Sequence, residues 1–593
     1  MTGNTDAPAA QAARQAPEAA VPSGRRRLLA VAIWGGCVLV ALALWAAYAR
    51  LSQTFPTDSD GASNALQAWQ MLHGNPLLRG WVLSDVSFYT TELPQYMLVE
   101  LVTGLNANVI HVAAGMTYTL ALIGAAALAA GRLRGWAAVI GAGIAAGIML
   151  DPQGADGVLV LLSSPDHIGT SVPIMVAWLI LDRTRPGWPT AAAVSLVLGW
   201  AGVADSLVTY AAIVPLVLVV VIRLADALIR DRAVPWRGTL AARRHEIALA
   251  AGAIAATIVA HLVLRLISAL GGFTSPGPAS SVAPLGHIAA HNLPVVGHGL
   301  LLLFGADFLD YHGGVLVPHL VSVALVLAGA ALTVRYFLAG RDLVAQLLLA
   351  GIVVNLAVFI ASTSVSGLPT MREVDVVLPF SAALAGRQLA PRIAGALAAR
   401  SRSPRTPPRA VARTAPAAAE RAAETTPRPR TAWLSRPAAI VLAALLGLAG
   451  AGYAAGLARA ASRPIPVSSG QRLAAWLRAR HLDNGLAGYW QSNAVTLFAK
   501  DKVRIRLVDI GYRLHPQILV RGTRQSYAGW YNPAANTADF VVLAPGTGQF
   551  AGFTDMTVVT ATFGRPALTY FYDGYTILVW PHTNLLTEIA TAN

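Results

Sequence analysis

The sequence has little of what a soluble protein carries on its surface. Only 12% of its 593 residues are charged, and the mean hydropathy is +0.55. It has a single cysteine, Cys37, which excludes an intrachain disulfide and any zinc or iron–sulfur site built on several cysteines. Lysine occurs only at 500 and 502, so the net charge of +15 comes almost entirely from arginine. Those arginines lie in short loops and one linker, not on a face shared with aromatics, and so do not indicate nucleic-acid binding.

Apolar runs long enough to cross a bilayer are what the chain has in abundance. A spanning helix needs about 20 mostly apolar residues. About eleven runs approach that length and composition. They lie at 28–49, 109–130, 136–150, 168–181, 190–203, 207–222, 247–270, 315–334, 343–361, 375–391 and 438–458. The predicted fold class is therefore an α-helical polytopic membrane protein.

The loops between these runs divide into an arginine-rich set and an acidic, histidine-bearing set. Because basic loops stay in the cytoplasm, the triplet 25–27 predicts a cytoplasmic amino terminus and a multi-pass protein of the plasma membrane. A cleaved signal peptide ending near 47–49 is the alternative. The first apolar run is longer than the roughly 7–15 residues of a signal peptide, which favours an uncleaved anchor.

Five segments follow from this topology. They are a disordered cytoplasmic tail at 1–24, a transmembrane domain at 25–395, a Pro/Arg/Ala-rich cytoplasmic linker at 396–436, a last transmembrane helix at 437–458 and an extracytoplasmic domain at 459–593. The first outer loop, 50–108, is long, and its amphipathic stretch 65–73 is expected on the membrane surface. The last segment is read as a small α/β domain, with a helix opened by the capping box Ser468/Gln471. Its expected strands are 503–509, 539–543, 556–562 and 576–580.

The first candidate site is the acidic motif of Asp58 and Asp60, directly after the first span. Two carboxylates two residues apart can divide the work of a general base and its orienting group, or share a metal ion. The structural alternative is an N-cap for the helix that follows, a position that aspartate often takes.

A second acidic cluster at the outer ends of the third and fourth spans contains Asp166 and His167, with Asp156 upstream. Carboxylate oxygens with one imidazole suit Mg²⁺ or Mn²⁺, so a divalent cation is a possible cofactor. Ordinary polarity of an outer loop is the alternative.

Two cations lie where a phosphate at headgroup depth could be bound. Arg372, followed by Glu373, lies in one of the predicted outer loops, which otherwise carry almost no arginine. Arg265 lies near the outer end of a span. A guanidinium can hold a phosphate with two parallel hydrogen bonds, although an ion pair with a neighbouring carboxylate is the alternative. Tyr89 and Trp490 are aromatic candidates for stacking on a sugar, or core residues of the outer region.

Taken together, these features resemble the GT-C superfamily of membrane glycosyltransferases. The resemblance lies in the multi-span topology, the first-loop pair Asp58/Asp60, the second cluster at Asp166 and the outer α/β domain. The stretches 60–69 and 531–543 are similar to GT-C-like integral membrane proteins of actinobacteria. The chain lacks the Trp-Trp-Asp stretch of oligosaccharyltransferases, so asparagine-linked transfer is not expected.

The resemblance implies transfer of a sugar from a polyprenyl-phosphate donor to a glycan, lipid or protein acceptor at the cell envelope. Asp58 or Asp60 would then deprotonate the acceptor hydroxyl, and Arg372, with Arg265, would hold the lipid phosphate. Asp166 and His167 would complete a metal site if the donor carries a pyrophosphate.

Two other classes of function stay open from the sequence. A transporter or flippase of lipid-linked sugars would place charged residues and broken helices near the bilayer midplane, whereas the candidates here cluster at the outer ends of spans. A non-enzymatic scaffold for envelope assembly would leave Asp58 and Asp60 far from Asp166 and Arg372.

Overall fold

The computed structural model describes residues 23–152, 154–230, 235–277, 280–309, 316–339, 342–398, 436–512, 514, 516–544 and 555–589. The tail predicted at 1–24 and the linker predicted at 396–436 fall almost wholly outside these residues. Both therefore stay predictions.

Helices make up most of the described residues before residue 462. They are α1 (Ser23–Ser52), α2 (Ser59–Leu72), α3 (Glu92–Thr103), α4 (Asn108–Ala130), α5 (Trp136–Met149), α6 (Gly154–Leu162), α7 (Ile168–Arg183), α8 (Trp188–Ala204), α9 (Val214–Arg230), α10 (Trp236–Ala242), α11 (Arg244–Ala269), α12 (Leu285–His287), α13 (Leu293–Leu303), α14 (Leu316–Arg335), α15 (Leu343–Ala361), α16 (Val377–Ala398) and α17 (Arg436–Ala461). A π-helical turn, Thr209–Ile213, precedes α9, another, Ile288–Asn292, joins α12 to α13, and a 3₁₀ turn, Leu368–Val374, precedes α16.

Within the described residues, six helices are long and apolar enough to cross a membrane, and two shorter ones are apolar. The six are Val31–Ser52, Asn108–Ala130, Thr209–Arg230, Arg244–Ala269, Leu316–Arg335 and Leu343–Ala361. The protein is thus a multi-pass membrane protein, and the count of eleven spans stays a prediction. Cys37 is exposed on α1, where lipid would cover it.

The first outer loop is folded back onto the rest of the protein. The stretch 65–73, expected on the membrane surface, belongs instead to α2, whose residues up to Ala68 are mostly buried. This expectation was wrong because the apolar face of α2 packs on protein, against α3 and a helix of the carboxyl-terminal domain. The neighbouring helix α3 is the one with exposed apolar side chains, Leu98, Leu101 and Val102.

The carboxyl-terminal region is an α/β domain, as expected. It contains α18 (Ser469–Ala479), α19 (Tyr489–Phe498) and α20 (Met556–Phe563). After the two-residue strand β1 (Trp81–Val82) of the first outer loop, its strands are β2 (Asn484–Ala487), β3 (Arg504–Ile510), β4 (Leu519–Arg521), β5 (Ser526–Tyr527), β6 (Phe540–Leu543), β7 (Leu568–Tyr572) and β8 (Tyr575–Val579). Six of them form one sheet in the order β4-β3-β2-β6-β8-β7, with β2 parallel to β3 and β6. The capping box of Ser468 and Gln471 opens α18 as predicted.

One expected strand, 556–562, is the helix α20. The run of Thr and Val is typical of a strand, but Asp555 accepts hydrogen bonds from the backbone N–H groups of Thr557 and Val558. That N-cap satisfies the first turn of a helix, and the buried face of α20 then packs on the sheet.

A continuous apolar core joins the first outer loop to this domain. Leu66 and Trp81 of the loop belong to the same buried cluster as Leu486, Trp530 and Leu578 of the domain. Strand β1 also pairs antiparallel with β5. The acidic motif at the start of α2 therefore lies between the ends of the membrane helices and the α/β domain.

Candidate functional site

Asp58 stands at the junction between the first membrane helix and α2. It caps α2, because its Oδ1 accepts a hydrogen bond of 2.9 Å from the backbone N–H of Gly61. The preceding Thr57 hydroxyl lies 3.2 Å from Nε2 of His111, whose Nδ1 is 2.8 Å from the Ser52 hydroxyl. The N-cap interpretation is thus correct, and the same geometry fixes a buried carboxylate, 3% exposed, at the mouth of the membrane domain.

Asp60 is the centre of a polar network that three distant segments build. Arg372 Nη2 lies 2.6 Å from Asp60 Oδ2, and the Tyr489 hydroxyl donates to Asp60 Oδ1. Gln525 Nε2 donates to the same oxygen at 3.3 Å. Arg372 also reaches toward Asp58, with Nη1 3.8 Å from Oδ2. One guanidinium from the turn before α16 therefore faces both carboxylates of the motif and offsets part of their charge.

Asp166 joins this network through α2. Asn64, one turn after Asp60, donates a hydrogen bond of 2.9 Å to Asp166 Oδ1. Oδ2 of Asp166 is buried and, within the described residues, has no hydrogen-bond partner. A buried carboxylate oxygen without a partner is costly, so this atom is available to a ligand or a proton.

His167 turns away from Asp166 and toward Asp205. Its backbone has φ +64°, a left-handed conformation, directly before α7 begins. Its Nδ1 lies 3.4 Å from Asp205 Oδ2, which also accepts from the Thr170 hydroxyl at 2.7 Å. The turn separates the side chains of two adjacent residues into two different networks.

The electrostatics of the site follow from burial opposed by paired charges. Burial and the charge of Asp60 raise the pKa of Asp58 to about 7, although Arg372 acts in the opposite direction. Burial likewise raises the pKa of Asp166 to about 6. Burial lowers the pKa of His167, but the hydrogen bond and charge of Asp205 outweigh it and bring the pKa to about 9. At neutral pH the site therefore holds a protonated imidazole and two carboxyls that can exchange protons.

A cavity of about 350 Å³ opens beside these residues. Asp85, His167 and Glu373 form its charged wall, and Val358 and Phe359 at the end of α15 form part of its apolar wall. Burial raises the pKa of Glu373 to about 6, with the charge of His167 opposing the shift. The cavity thus joins a polar region to the end of a membrane helix.

Glu92 lies buried against the first turn of α7. Its side chain accepts a hydrogen bond from Thr91, and its Oε1 has no partner among the described residues. Burial, opposed by the Thr91 hydrogen bond, raises its pKa well above the usual value. Gly169 makes room for it, since a Cβ there would lie 2.9 Å from Cδ of Glu92.

Other predicted site residues lie apart from Asp60. Arg265 is exposed on α11, and Tyr89 packs on Phe273 with ring centroids 5.1 Å apart. Trp490 packs edge-on against Tyr489 at 5.0 Å, so it is the neighbour of a residue that contacts Asp60. The side chain of Asp156 lies outside the described residues. Roles for these four in substrate or metal binding stay predictions.

The metal site expected from Asp166 and His167 is not assembled by the residues that the structure describes. No group of three His, Cys, Asp or Glu side chains among them could hold a metal ion. Asp166 faces Asn64 and His167 faces Asp205, so the two do not converge on one point. Because the donor set does not fit, no chemical step is assigned to a metal here.

Sequence reasoning missed several members of the site. Tyr489, Gln525, Asn64, Asp205 and Glu92 all contact or border the predicted residues. Two carried a usable signal: Asn64 lies one helical turn from Asp60, and Asp205 is the acidic residue at the exit of a span. Contacts across more than 400 residues, such as that of Tyr489, carry no local signal.

Comparison with known proteins gives an architectural likeness only. No family model matches the chain, and no curated protein matches it. The crystal structure of the Archaeoglobus fulgidus oligosaccharyltransferase in the apo form is similar at a TM-score of 0.41 and 11% identity, over 85% of this chain and 69% of that chain. The oligosaccharyltransferase AglB from the same organism, in complex with an inhibitory peptide and a dolichol-phosphate, matches at 0.41 and 12% over the same shares. Values this low assign no activity.

Proposed function

We propose that the protein is a membrane glycosyltransferase that moves a sugar from a polyprenyl-phosphate donor to an acceptor hydroxyl. The acceptor would be a glycan, a lipid or a protein on the side of the membrane that carries the α/β domain. One observation carries the proposal: Asp58, Asp60 and Arg372 are joined at the domain-side ends of the membrane helices. Glu373, the residue after Arg372, lines a cavity with one apolar wall. This is the depth at which a lipid phosphate would arrive.

The two carboxylates of the motif take different roles. Asp60 accepts from Arg372, Tyr489 and Gln525, which makes it an anchor for the guanidinium. Among the described residues, the carboxylate of Asp58 has only the Gly61 N–H at hydrogen-bond distance, and its pKa is raised to about 7. A general base works best when its pKa lies near the operating pH, so Asp58 is assigned as the base and Asp60 as its orienting partner.

The reaction then runs as a single displacement. Asp58 takes the proton of the acceptor hydroxyl, and that oxygen forms a bond to the anomeric carbon of the donor sugar. The bond from this carbon to the phosphate oxygen breaks, and polyprenyl phosphate leaves with the electron pair. Nη1 of Arg372 makes no hydrogen bond to the described residues and lies 3.8 Å from Oδ2 of Asp58. From this position it would stabilise the negative charge that develops on the leaving oxygen.

The cavity beside the site suits the donor. Val358 and Phe359 would border the lipid, while Asp85 and Glu373 would bind sugar hydroxyls. His167, protonated at neutral pH through Asp205, adds a positive charge to the same wall.

The two other classes have less support. A transporter is expected to bind its substrate near the midplane, whereas this network lies at helix ends. A scaffold needs no convergence of Asp58, Asp60 and Arg372, and their ion pairs at 2.6 and 3.8 Å argue against chance placement.

The test uses the full-length protein in lipid nanodiscs with synthetic polyprenyl-phosphate-linked hexoses and pentoses. Release of polyprenyl phosphate is followed by mass spectrometry, with an extract of envelope glycans as the acceptor. Asp58→Asn is expected to reduce turnover at least about 100-fold, the usual contribution of a general base. Asp226→Asn is the matched control, because Asp226 forms an exposed pair with Arg230 on α9.

Two results would overturn parts of the proposal. Full turnover by Asp58→Asn would remove Asp58 as the base. A strain that lacks the protein yet keeps an unchanged envelope sugar composition would remove the glycosyltransferase assignment itself.

A further inference from the structure

A second cavity, of about 490 Å³, lies between the turn that joins α3 to α4 and the first two helices of the α/β domain. Asn106 and Asn108 form one wall, and Gln471, Arg478, Phe498 and Lys500 form the other. It shares no lining residue with the cavity lined by His167 and Glu373. No acidic residue lines it, so its electrostatic character is set by two cations.

Those two cations have no counter-charge. Within the described residues, the side chain of neither Arg478 nor Lys500 makes a hydrogen bond or an ion pair. Other basic residues of the same domain are paired: Arg472 lies 2.8 Å from Asp573, and Arg504 lies 2.7 Å from Asp501. An arginine and a lysine that face one cavity without a carboxylate form a site for an anion.

Lys500 has an unusual backbone conformation for a lysine. Lys500 has φ +54° directly after the end of α19, and its N–H donates to Leu497 O at 2.9 Å. Glycine is the usual residue in this left-handed position at a helix end. The chain has a lysine there, one of only two it contains, and so carries an ammonium at the edge of the cavity at the expense of an unfavourable conformation.

The cavity opens at the depth of lipid headgroups. Asn108 is the first residue of the spanning helix α4, so the wall formed by Asn106 and Asn108 marks the membrane boundary. On the other side of the same turn, α3 exposes Leu98, Leu101 and Val102, at 57%, 70% and 84%. Apolar side chains beside free cations are the arrangement of a surface that dips into an anionic leaflet.

We propose that this cleft binds the phosphate headgroup of an anionic phospholipid in the leaflet next to the α/β domain. The bound lipid holds the domain against the bilayer through Arg478 and Lys500, while α3 lies in the interface beside it. This inference stands apart from the proposed catalytic function, because none of its residues belongs to the network around Asp60.

The test titrates the purified full-length protein in detergent with phosphatidylglycerol or phosphatidylcholine and counts bound lipids by native mass spectrometry. We expect the protein to retain one phosphatidylglycerol at least about tenfold more tightly than phosphatidylcholine, since near-surface cations each add to the attraction. Arg478→Gln with Lys500→Gln should lose this preference. Lys502→Gln with Arg565→Gln removes the same charge from exposed positions outside the cleft and should keep it.

Each remaining outcome has a defined meaning. Equal loss in both double variants would show a response to overall charge and overturn the site. Inorganic phosphate bound as tightly as the lipid would assign the cleft to a soluble phosphate and overturn the lipid occupant. Unchanged melting temperatures of the double variants keep a loss of binding from being attributed to unfolding.

Discussion

Asp58 combines a structural and a chemical property in one side chain. It caps α2, a task that asparagine performs equally well, and it carries a buried carboxyl whose pKa is raised to about 7. Replacement by asparagine therefore keeps the cap and removes only the ionisable group. This separates the helix-capping role from the proposed chemistry at the level of one residue.

Asp58→Asn is expected to make the protein more stable at pH 8 than the wild type. The folded-state pKa lies above the ordinary value of 3.8, so the stability that Asp58 contributes is complete below pH 4 and is lost as the pH rises to about 7. Above that pH the buried charge costs on the order of 4 kcal/mol, which the amide does not incur. Thermal unfolding in detergent at pH 5 and pH 8 measures the effect. The same difference in melting temperature between the variant and the wild type at both pH values would contradict this prediction.

How much of the site the sequence could predict depends on the range of each contact. Asp58 and Asp60 stand out through their position after a span, and Arg372 through its presence among arginine-poor loops. The ion pair between Arg372 and Asp60 could not be derived, because the two residues are 312 positions apart in the sequence. Which aromatic side chain meets Asp60, Tyr489 or its neighbour Trp490, depends on how α19 packs on α2.

At the scale of elements, hydropathy predicted the membrane helices because it is a local property. The described helices α1, α4, α11, α14 and α15 lie where the apolar runs are. Elements whose pattern is short or ambiguous were missed or misread: α20 was expected as a strand, and α13 lies in a stretch expected as loop. In these cases a cap or a packing partner decides the structure, and neither is visible in hydropathy.

Gly169 provides a prediction about how α7 and α3 fit together. Substitution with alanine would place a Cβ against the carboxyl of Glu92, and either this buried side chain or the helix α7 must shift to relieve the overlap. The expected cost is about 1–3 kcal/mol, typical of overpacking a buried site. Because Asp166 and His167 directly precede α7, donor turnover should fall together with the melting temperature.

Gly143→Ala on α5 is the matched control, since nothing lies within 4 Å of the Cβ it would add. Alanine is the better helix former, so this variant should melt at or slightly above the temperature of the wild type. Equal behaviour of the two variants would mean that α3 and α7 are not held at the spacing seen here.

For the whole molecule, the first outer loop is the element that unites the two halves. It continues the first membrane helix, supplies Asp58 and Asp60, and shares its core and a strand pair with the α/β domain. Composition predicted both halves, but gave no indication that the loop is a common part of them. The site exists only where the two halves meet.

The orientation of this assembly in the membrane rests on the arginine asymmetry and can be tested through the single cysteine. Cys37→Ala removes the only thiol, and new cysteines can then be placed one at a time. With Lys502→Cys, intact cells should react with a membrane-impermeant maleimide, because the α/β domain is predicted outside. With Arg335→Cys, at the end of α14, reaction should require permeabilised cells, because basic loops stay in the cytoplasm. The reverse pattern would place Asp58 and Asp60 on the cytoplasmic side, where the donor and acceptor would have to be cytoplasmic as well.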